Sequence, residues 1–175
     1  MPTTIAQFID DLEKEFGPIA RRINVTRDEK TGRKLCCEER NSLTQEQIKK
    51  DRGLGAEGNT WSIALKHCPG LVCVDFDQKD LDNCALWQLL LKRDCLRTST
   101  TKGYHVYVRT ETSNSCKEVG VGGKFAIDLL VKQRNVWESQ ERVLTGTLQD
   151  VPWSDLAPHL HLNGKTKKHN LQESS

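Results

Sequence analysis

The sequence lacks long hydrophobic runs, since no apolar stretch approaches the roughly 20 residues that a membrane helix requires. It also lacks a basic-then-apolar segment after Met1, so no secretory signal is expected. Its charges nearly cancel, with 26 Lys and Arg against 24 Asp and Glu and a net charge of +2. Net charge therefore does not by itself indicate a nucleic-acid-binding protein. These absences predict an intracellular protein that does not enter a membrane.

A C-x-x-C pair is also absent, although the chain has seven cysteines. An odd number of cysteines without a dense spacing pattern predicts reduced thiols rather than a disulfide framework. A structural zinc site stays open as an alternative, because sulfur and nitrogen ligands occur close together in sequence. The residues concerned are Cys36, Cys37, His67, Cys68 and Cys73.

The length of 175 residues and a hydrophobic content of 36% are typical of one domain with a real core. We place this domain at 1–158, with a helical and αβ part at 1–60 and a sheet region at 60–155. Residues 159–175 are polar and basic and are expected to be a disordered tail.

Hydrophobic spacing predicts a mixture of helices and strands. Residues 4–16 and 80–94 have helical periodicity, and a capping box at Ser42–Gln45 or Thr44–Gln47 opens a short helix that reaches Asp51. A hairpin is expected around Thr31 and Gly32. Strands are predicted at 60–65, 71–76, 103–109, 124–131 and 135–144.

An apolar strand ends in two aspartates one residue apart, in the run Val74-Asp75-Phe76-Asp77. Successive side chains of a strand point to opposite faces, so Asp75 and Asp77 share one face with Cα atoms roughly 6–7 Å apart. Carboxylate pairs of this kind hold hard divalent cations such as Mg²⁺ or Mn²⁺. An Asp-x-Asp after a strand is also a common turn initiator.

The same alternation places polar groups on one face of two further strands. His105, Tyr107 and Arg109 share a face in the strand at 103–109, and Lys124 and Asp128 share a face in the strand at 124–131. If these strands are neighbours, Asp75, Asp77, His105 and Asp128 gather on one surface with Lys124 and Arg109 near them. Three carboxylates beside cations suit metal-assisted phosphoryl or nucleotidyl transfer.

Further basic and polar residues surround these motifs. Residues 97–134 carry seven basic and three acidic side chains, and a local basic surface attracts phosphates. Ser99 and Lys102 lie in a polar stretch just before the histidine strand, where they either line a nucleotide pocket or belong to an ordinary loop. Lys124 either binds phosphate or pairs with an acid.

The ordered set of motifs resembles the archaeo-eukaryotic primase superfamily, in particular the primase-polymerase domains of plasmids and large viruses. The shared elements are Val74-Asp75-Phe76-Asp77, Gly103-Tyr104-His105 and Ile127-Asp128, and Gly103 stands where many relatives have Ser. The resemblance implies that Asp75, Asp77 and Asp128 bind the catalytic metals and that His105 contacts the phosphates of the incoming nucleotide.

The resemblance also implies a fold and an activity. The expected fold is α+β, with an RRM-like mixed or antiparallel sheet, flanking helices and a smaller N-terminal α/β unit. The expected activity of residues 1–158 is that of a DNA primase or polymerase domain, which joins nucleotides along a single-stranded DNA template with Mg²⁺ or Mn²⁺. The expected partners are this template, nucleoside triphosphates and a replicative helicase, which relatives often carry in the same polypeptide.

Two alternative functions stay open. The triplet His159-Leu160-His161 is the metal motif of strand-nicking replication endonucleases, which also need a nucleophilic tyrosine, and Tyr104 and Tyr107 are the tyrosines of the chain. The second alternative is a domain that binds nucleic acid without catalysis.

Overall fold

The computed structural model of the chain describes residues 2–35, 43–111, 119–121, 125–132 and 134–160. Within these ranges the chain forms four α-helices, thirteen short strands and three 3₁₀ turns. The α-helices are α1 (Ile5–Phe16), α2 (Gln45–Lys50), α3 (Ala85–Lys92) and α4 (Trp153–Leu156), and the 3₁₀ turns are Gly55–Glu57, Leu65–His67 and Ala157–His159. The strands are β1 (Thr3–Thr4), β2 (Ala20–Ile23), β3 (Thr26–Arg27), β4 (Lys34–Leu35), β5 (Thr60–Ala64), β6 (Leu71–Phe76), β7 (Leu96–Ser99), β8 (Tyr104–Arg109), β9 (Val119–Val121), β10 (Ile127–Leu130), β11 (Asn135–Ser139), β12 (Val143–Leu144) and β13 (Gln149–Asp150).

Local sequence signals fix the ends of the first two helices. Thr4 caps α1 by accepting the N–H of Gln7 at 3.1 Å, and Gly17 ends the helix at a φ of 82° that favours glycine. α2 begins with the capping box of Thr44 and Gln47, which confirms one of the two predicted pairs. The predicted hairpin also forms, with β3 paired to β4 across Gly32.

A six-stranded, mostly antiparallel sheet forms the centre of the molecule. Its strands run in the order β13-β8-β6-β10-β9, and β7 pairs with the first part of β8 while β13 runs parallel to its end. A second, antiparallel sheet has the order β11-β5-β2. The region predicted as one sheet at 60–155 therefore supplies strands to both sheets, because β5 pairs with β2 on one side and with β11 on the other rather than with β6.

Strand β6 of the central sheet is buried on both faces up to Val74, which explains its continuous apolar run. On one face, Val72, Val74 and Phe76 pack with α3 and α4. On the other face, Leu71 and Cys73 pack with α1 and the three-stranded sheet. The fold is thus α+β with antiparallel sheets and few helices.

The structure adds to one expectation about these elements and corrects another. The face of the central sheet that carries His105 also carries Cys73 and Tyr107, which are fully buried, and Phe8 of α1 packs against the Tyr107 ring with centroids 4.8 Å apart. Helix α3 is shorter than the predicted 80–94, because Asp and Asn side chains favour turns over helix, and Leu81 is buried just before the helix begins.

Among the described helices, none has the length and apolar character needed to cross a membrane.

Candidate functional site

Strand register brings the predicted acids and the histidine into one row across the central sheet. Asp75 lies directly opposite His105 of β8 on one side and directly opposite Asp128 of β10 on the other. Residues paired in this way share a face, and their Cα atoms are about 4.5–5.5 Å apart. Asp77 continues the row, because its N–H donates to the carbonyl of Ala126 at 2.8 Å. We call Asp75, Asp77, His105 and Asp128 the acidic row.

The members of the acidic row differ in exposure. Asp75 is half-buried and its Oδ1 lies 3.5 Å from Nε2 of His105, whereas Asp77 and Asp128 are exposed. Asp128 is exposed because its apolar neighbours Ile127 and Leu129 point to the opposite face. Within the described ranges, no group of three or more His, Cys, Asp or Glu side chains is close enough together to hold a metal ion.

A buried carboxylate from the second sheet stands behind the histidine. Glu138 of β11 has no exposed surface, and its Oε2 accepts hydrogen bonds from Nδ1 of His105 at 2.8 Å and from the Tyr107 hydroxyl. Its Oε1 accepts a hydrogen bond from Nη1 of Arg142 at 2.8 Å. The His105 ring is therefore held between two carboxylates, with one ring nitrogen facing each.

These contacts set the charge of the buried groups. Burial would lower the pKa of His105, but Glu138 and Asp75 outweigh it and raise the pKa to about 9. Burial would raise the pKa of Glu138, but the charge and hydrogen bonds of His105, with those of Tyr107 and Arg142, lower it below its usual value. At neutral pH the pair is an imidazolium and a carboxylate.

A basic cleft of about 180 Å³ opens over Asp75, Asp77 and His105 of the acidic row, between the β3–β4 hairpin and the turn at 100–103. We call it the hairpin cleft, and it is lined by Arg27, Gly32, Arg33, Lys34, Asp75, Asp77, Thr100, Thr101, Lys102 and His105. Its four Lys and Arg side chains face two carboxylates. Such a mixture suits a ligand with several negative charges that also binds cations.

The basic side chains along this cleft lie close enough to repel one another. Desolvation, followed by the charges of Arg142 and Arg27, lowers the pKa of Lys34. A second hollow of about 170 Å³ shares Arg27, Lys34 and Thr101 with the hairpin cleft and is also lined by Arg142. An anion in the hairpin cleft would relieve the repulsion among these side chains.

The turn before β8 places Lys102 and Ser99 differently. Lys102 lines the hairpin cleft. Ser99 pairs with Tyr104 and so lies on the opposite face from His105, where its hydroxyl accepts a hydrogen bond from Nζ of Lys79 at 2.5 Å. Thr98 is the β7 residue directly opposite His105.

Gly103 is required by the close approach of two backbone segments. A Cβ atom at this position would lie 1.7 Å from the carbonyl oxygen of Phe76 and 2.8 Å from the N atom of Gln78. The small residue two positions before the histidine therefore lets the turn pack against the end of β6, where Asp77 begins the loop.

The structure does not bring Arg109 to the acidic row. It lies four positions beyond His105 on β8, roughly 13 Å away at a strand rise of about 3.3 Å per residue. Its guanidinium donates to the Glu15 carboxylate of α1, with Nη1 2.9 Å from Oε2. Lys124 lies outside the described residues.

Neither alternative metal motif forms a site within the described residues. His159 ends the 3₁₀ turn Ala157–His159, and His161 lies outside the described ranges. Tyr107 is fully buried, and Tyr104 packs against Trp87 with ring centroids 4.4 Å apart. Cys68, Cys73, Cys84 and Cys95 are free, buried thiols, whereas Cys36 and Cys37 lie outside the described residues.

Sequence reasoning missed the buried carboxylate and the basic wall of the cleft. Glu138 alternates with Val136 on the inward face of a predicted strand, and an acid in that position is a signal that could have been read. Arg27, Arg33 and Lys34 lie in a short polar hairpin, where local sequence gives no sign that they face Asp75.

No protein-family model matches the chain, and no curated protein matches it either. The function proposed below is based on the residues of the site and on their arrangement.

Proposed function

We propose that the chain is a nucleotidyltransferase, a DNA primase or primase-polymerase domain that joins nucleoside triphosphates along a single-stranded DNA template. The observation that carries the proposal is the register of the central sheet, which puts Asp75 between His105 and Asp128 beneath a basic cleft. The motif order and the strand context are those that resemble primase-polymerases. An RRM-like central sheet with a smaller N-terminal unit is part of the same proposal.

The carboxylates of the acidic row are the donor type that Mg²⁺ or Mn²⁺ prefers, and their side chains would have to move closer together to bind the ion jointly. Asp75, Asp77 and Asp128 offer hard carboxylate oxygens from adjacent backbone positions, and two of the three are exposed. A divalent ion bound there would neutralise phosphate oxygens and lower the pKa of an attacking 3′-hydroxyl. The carboxylates would hold the divalent ion in place. Their neighbour His105 would donate a hydrogen bond into the hairpin cleft.

The basic wall of the hairpin cleft fits the triphosphate. Arg27, Arg33, Lys34 and Lys102 line the same cleft as the carboxylates, so they would bind and orient the phosphates next to the acidic row. Preorganised cations of this kind stabilise the charge that develops on a leaving pyrophosphate. Lys124, which either binds phosphate or pairs with an acid, lies outside the described residues and stays a candidate.

The test is a primer synthesis and extension assay on single-stranded DNA with each divalent ion. We expect the double variant Asp75→Asn/Asp77→Asn to lose about 100-fold or more in rate, the cost of removing preorganised electrostatic groups. Asp82→Asn is the matched control, because Asp82 is an exposed acid in the loop after β6. It should keep the wild-type rate.

Other outcomes point to the alternatives. Strand nicking that is lost only in His159→Ala/His161→Ala would replace the proposal with a nickase. DNA binding without metal-dependent incorporation by the wild type would replace it with a non-catalytic binding domain.

A further inference from the structure

Glu138 lies outside the predicted motifs, yet it contacts the histidine of the acidic row. The residue belongs to β11 in the three-stranded sheet, where its backbone is paired with Trp61 of β5. It is therefore carried by a strand rather than by a loop, and its carboxylate crosses from one sheet to the other. Such placement is typical of groups that hold a functional side chain in a set orientation.

The contacts of Glu138 divide between its two oxygens. Oε1 accepts a hydrogen bond from Arg142, whose side chain is only 10% exposed, so a second cation besides His105 contacts the carboxylate. Oε2 accepts from Nδ1 of His105 at 2.8 Å and from the Tyr107 hydroxyl. Arg142 thus holds one oxygen of Glu138, and the other oxygen orients the ring.

Without such a contact the histidine ring would be poorly defined. Rotation about χ2 of histidine is broad and roughly two-fold, so a flip exchanges the positions of nitrogen and carbon atoms. With Nδ1 held by Glu138, Nε2 points to Asp75 and to the hairpin cleft.

We propose that Glu138 is a positioning residue that fixes the His105 ring so that Nε2 faces a phosphate bound in the hairpin cleft. This inference rests on the proposed function, because it takes the ligand of the cleft to be a nucleoside triphosphate. Tyr107 donates to the same oxygen and so acts as a second donor to Glu138.

The test compares Glu138→Asp with Tyr107→Phe in the full chain. Glu138→Asp keeps the negative charge that Arg142 requires and withdraws the carboxylate from Nδ1 by one methylene. Tyr107→Phe is the matched control, since it removes a donor to the same oxygen and leaves the His105 contact intact. We expect Glu138→Asp to lower kcat/KM for nucleotide incorporation by about 10- to 100-fold. This is the usual effect of losing a residue that hydrogen-bonds to a functional side chain and orients it. Tyr107→Phe should stay within about 3-fold of wild type, the effect of one modest hydrogen bond.

A double-mutant cycle separates positioning from a general effect on folding. If Glu138 acts through His105, Glu138→Asp should change the rate of the His105→Asn variant by no more than about 2-fold. A loss of the same size in both backgrounds would overturn the proposal.

NMR of the His105 side chain gives a readout that does not depend on activity. We expect a hydrogen-bonded Nδ1 proton in the wild type and in Tyr107→Phe, and its loss in Glu138→Asp. Persistence of this proton in Glu138→Asp, or its absence from the wild type, would overturn the positioning role. If the wild type incorporates no nucleotide while the NMR result is as expected, the proposed function fails and the orientation of the ring by Glu138 stands.

Discussion

At the scale of single residues, His105 is the most constrained group of the site. It is buried at the edge of a core, with Glu138 on one ring nitrogen and Asp75 on the other. A neutral ring could satisfy only one of these carboxylates as a donor, whereas the imidazolium satisfies both. The folded chain therefore favours the charged form, which links its stability to pH.

The first prediction is that the free energy of unfolding, measured with a metal chelator present, decreases at alkaline pH. The pKa of His105 is about 9 in the folded chain, against 6.5 for an ordinary histidine. Its contribution is fully present below about pH 6.5 and is lost as the pH rises through about 9, and it amounts to roughly 3 kcal/mol. Urea unfolding at pH 6.5 and pH 9.5 measures it.

His105→Asn is the comparison protein for this measurement. It has no imidazolium to lose, so its stability should decrease less between the two pH values. An equal decrease in both proteins would show that other groups cause the alkaline loss. The pKa of Glu138 is lowered, so its own contribution has the opposite dependence, being present above about pH 4.5 and lost as the pH falls.

The face of the sheet to which each side chain points explains which parts of the site the sequence could predict. The alternation of strands places Asp75, His105 and Asp128 correctly on one face, because that inference needs only a period of two. Glu138 reaches His105 from a different sheet, and no local pattern specifies how two sheets pack. Ser99 was placed with Lys102 in one polar stretch, but it belongs to β7, whose register puts Thr98 opposite His105 and Ser99 on the other face.

At the scale of elements, the turn between β7 and β8 ties the histidine strand to the loop that carries Asp77. Lys79 of that loop donates to the carbonyl oxygens of Thr100 and Gly103 at 2.8 and 2.9 Å and lies over the Tyr104 ring. The Gln78 side chain accepts the N–H of Ala126 at 3.0 Å and so links the loop to the start of β10. Three segments of the site are thereby fixed to one another.

The second prediction concerns the glycine at the closest point of this junction. We expect Gly103→Ala to lower the free energy of unfolding by about 1–3 kcal/mol, because a Cβ atom would meet backbone atoms of Phe76 and Gln78 that cannot move aside cheaply. Urea unfolding checks this value. The displaced loop should also lower nucleotide incorporation.

Gly55→Ala is a control for this substitution. Gly55 lies in the 3₁₀ turn Gly55–Glu57, away from the residues that line the hairpin cleft. It has a φ of 58° and no atom within 4 Å of a built Cβ, so only backbone strain of about 1–2 kcal/mol is added. It should therefore leave the Asp77 loop in place. If Gly103→Ala were as stable as the wild type, the close approach of the turn and the loop would be wrong.

At the scale of the whole molecule, the central sheet contributes side chains to two hydrophobic cores. Cys73 of β6 packs with α1 and the three-stranded sheet, while its neighbours Val72 and Val74 pack with α3 and α4. The sequence predicted the apolar run of β6 and its two buried faces. It did not predict what covers each face, because amphipathic helices and strands show which side is buried but not their partner.

The third prediction is that both cores open together. Cys68 and Cys73 lie in the core with α1, and Cys84 and Cys95 lie in the core with α3. Burial raises the pKa of Cys68 to about 12 and raises those of Cys73 and Cys95 as well, so these thiols stay unreactive while folded. Because β6 contributes alternate residues to both cores, neither core can be lost while the sheet persists.

Labelling with a maleimide across a urea series, followed by peptide mass spectrometry, should give one midpoint for all four cysteines. Labelling of Cys68 and Cys73 at lower urea than Cys84 and Cys95 would show instead that the N-terminal elements separate from an intact sheet, and the hairpin cleft would then open before the molecule unfolds.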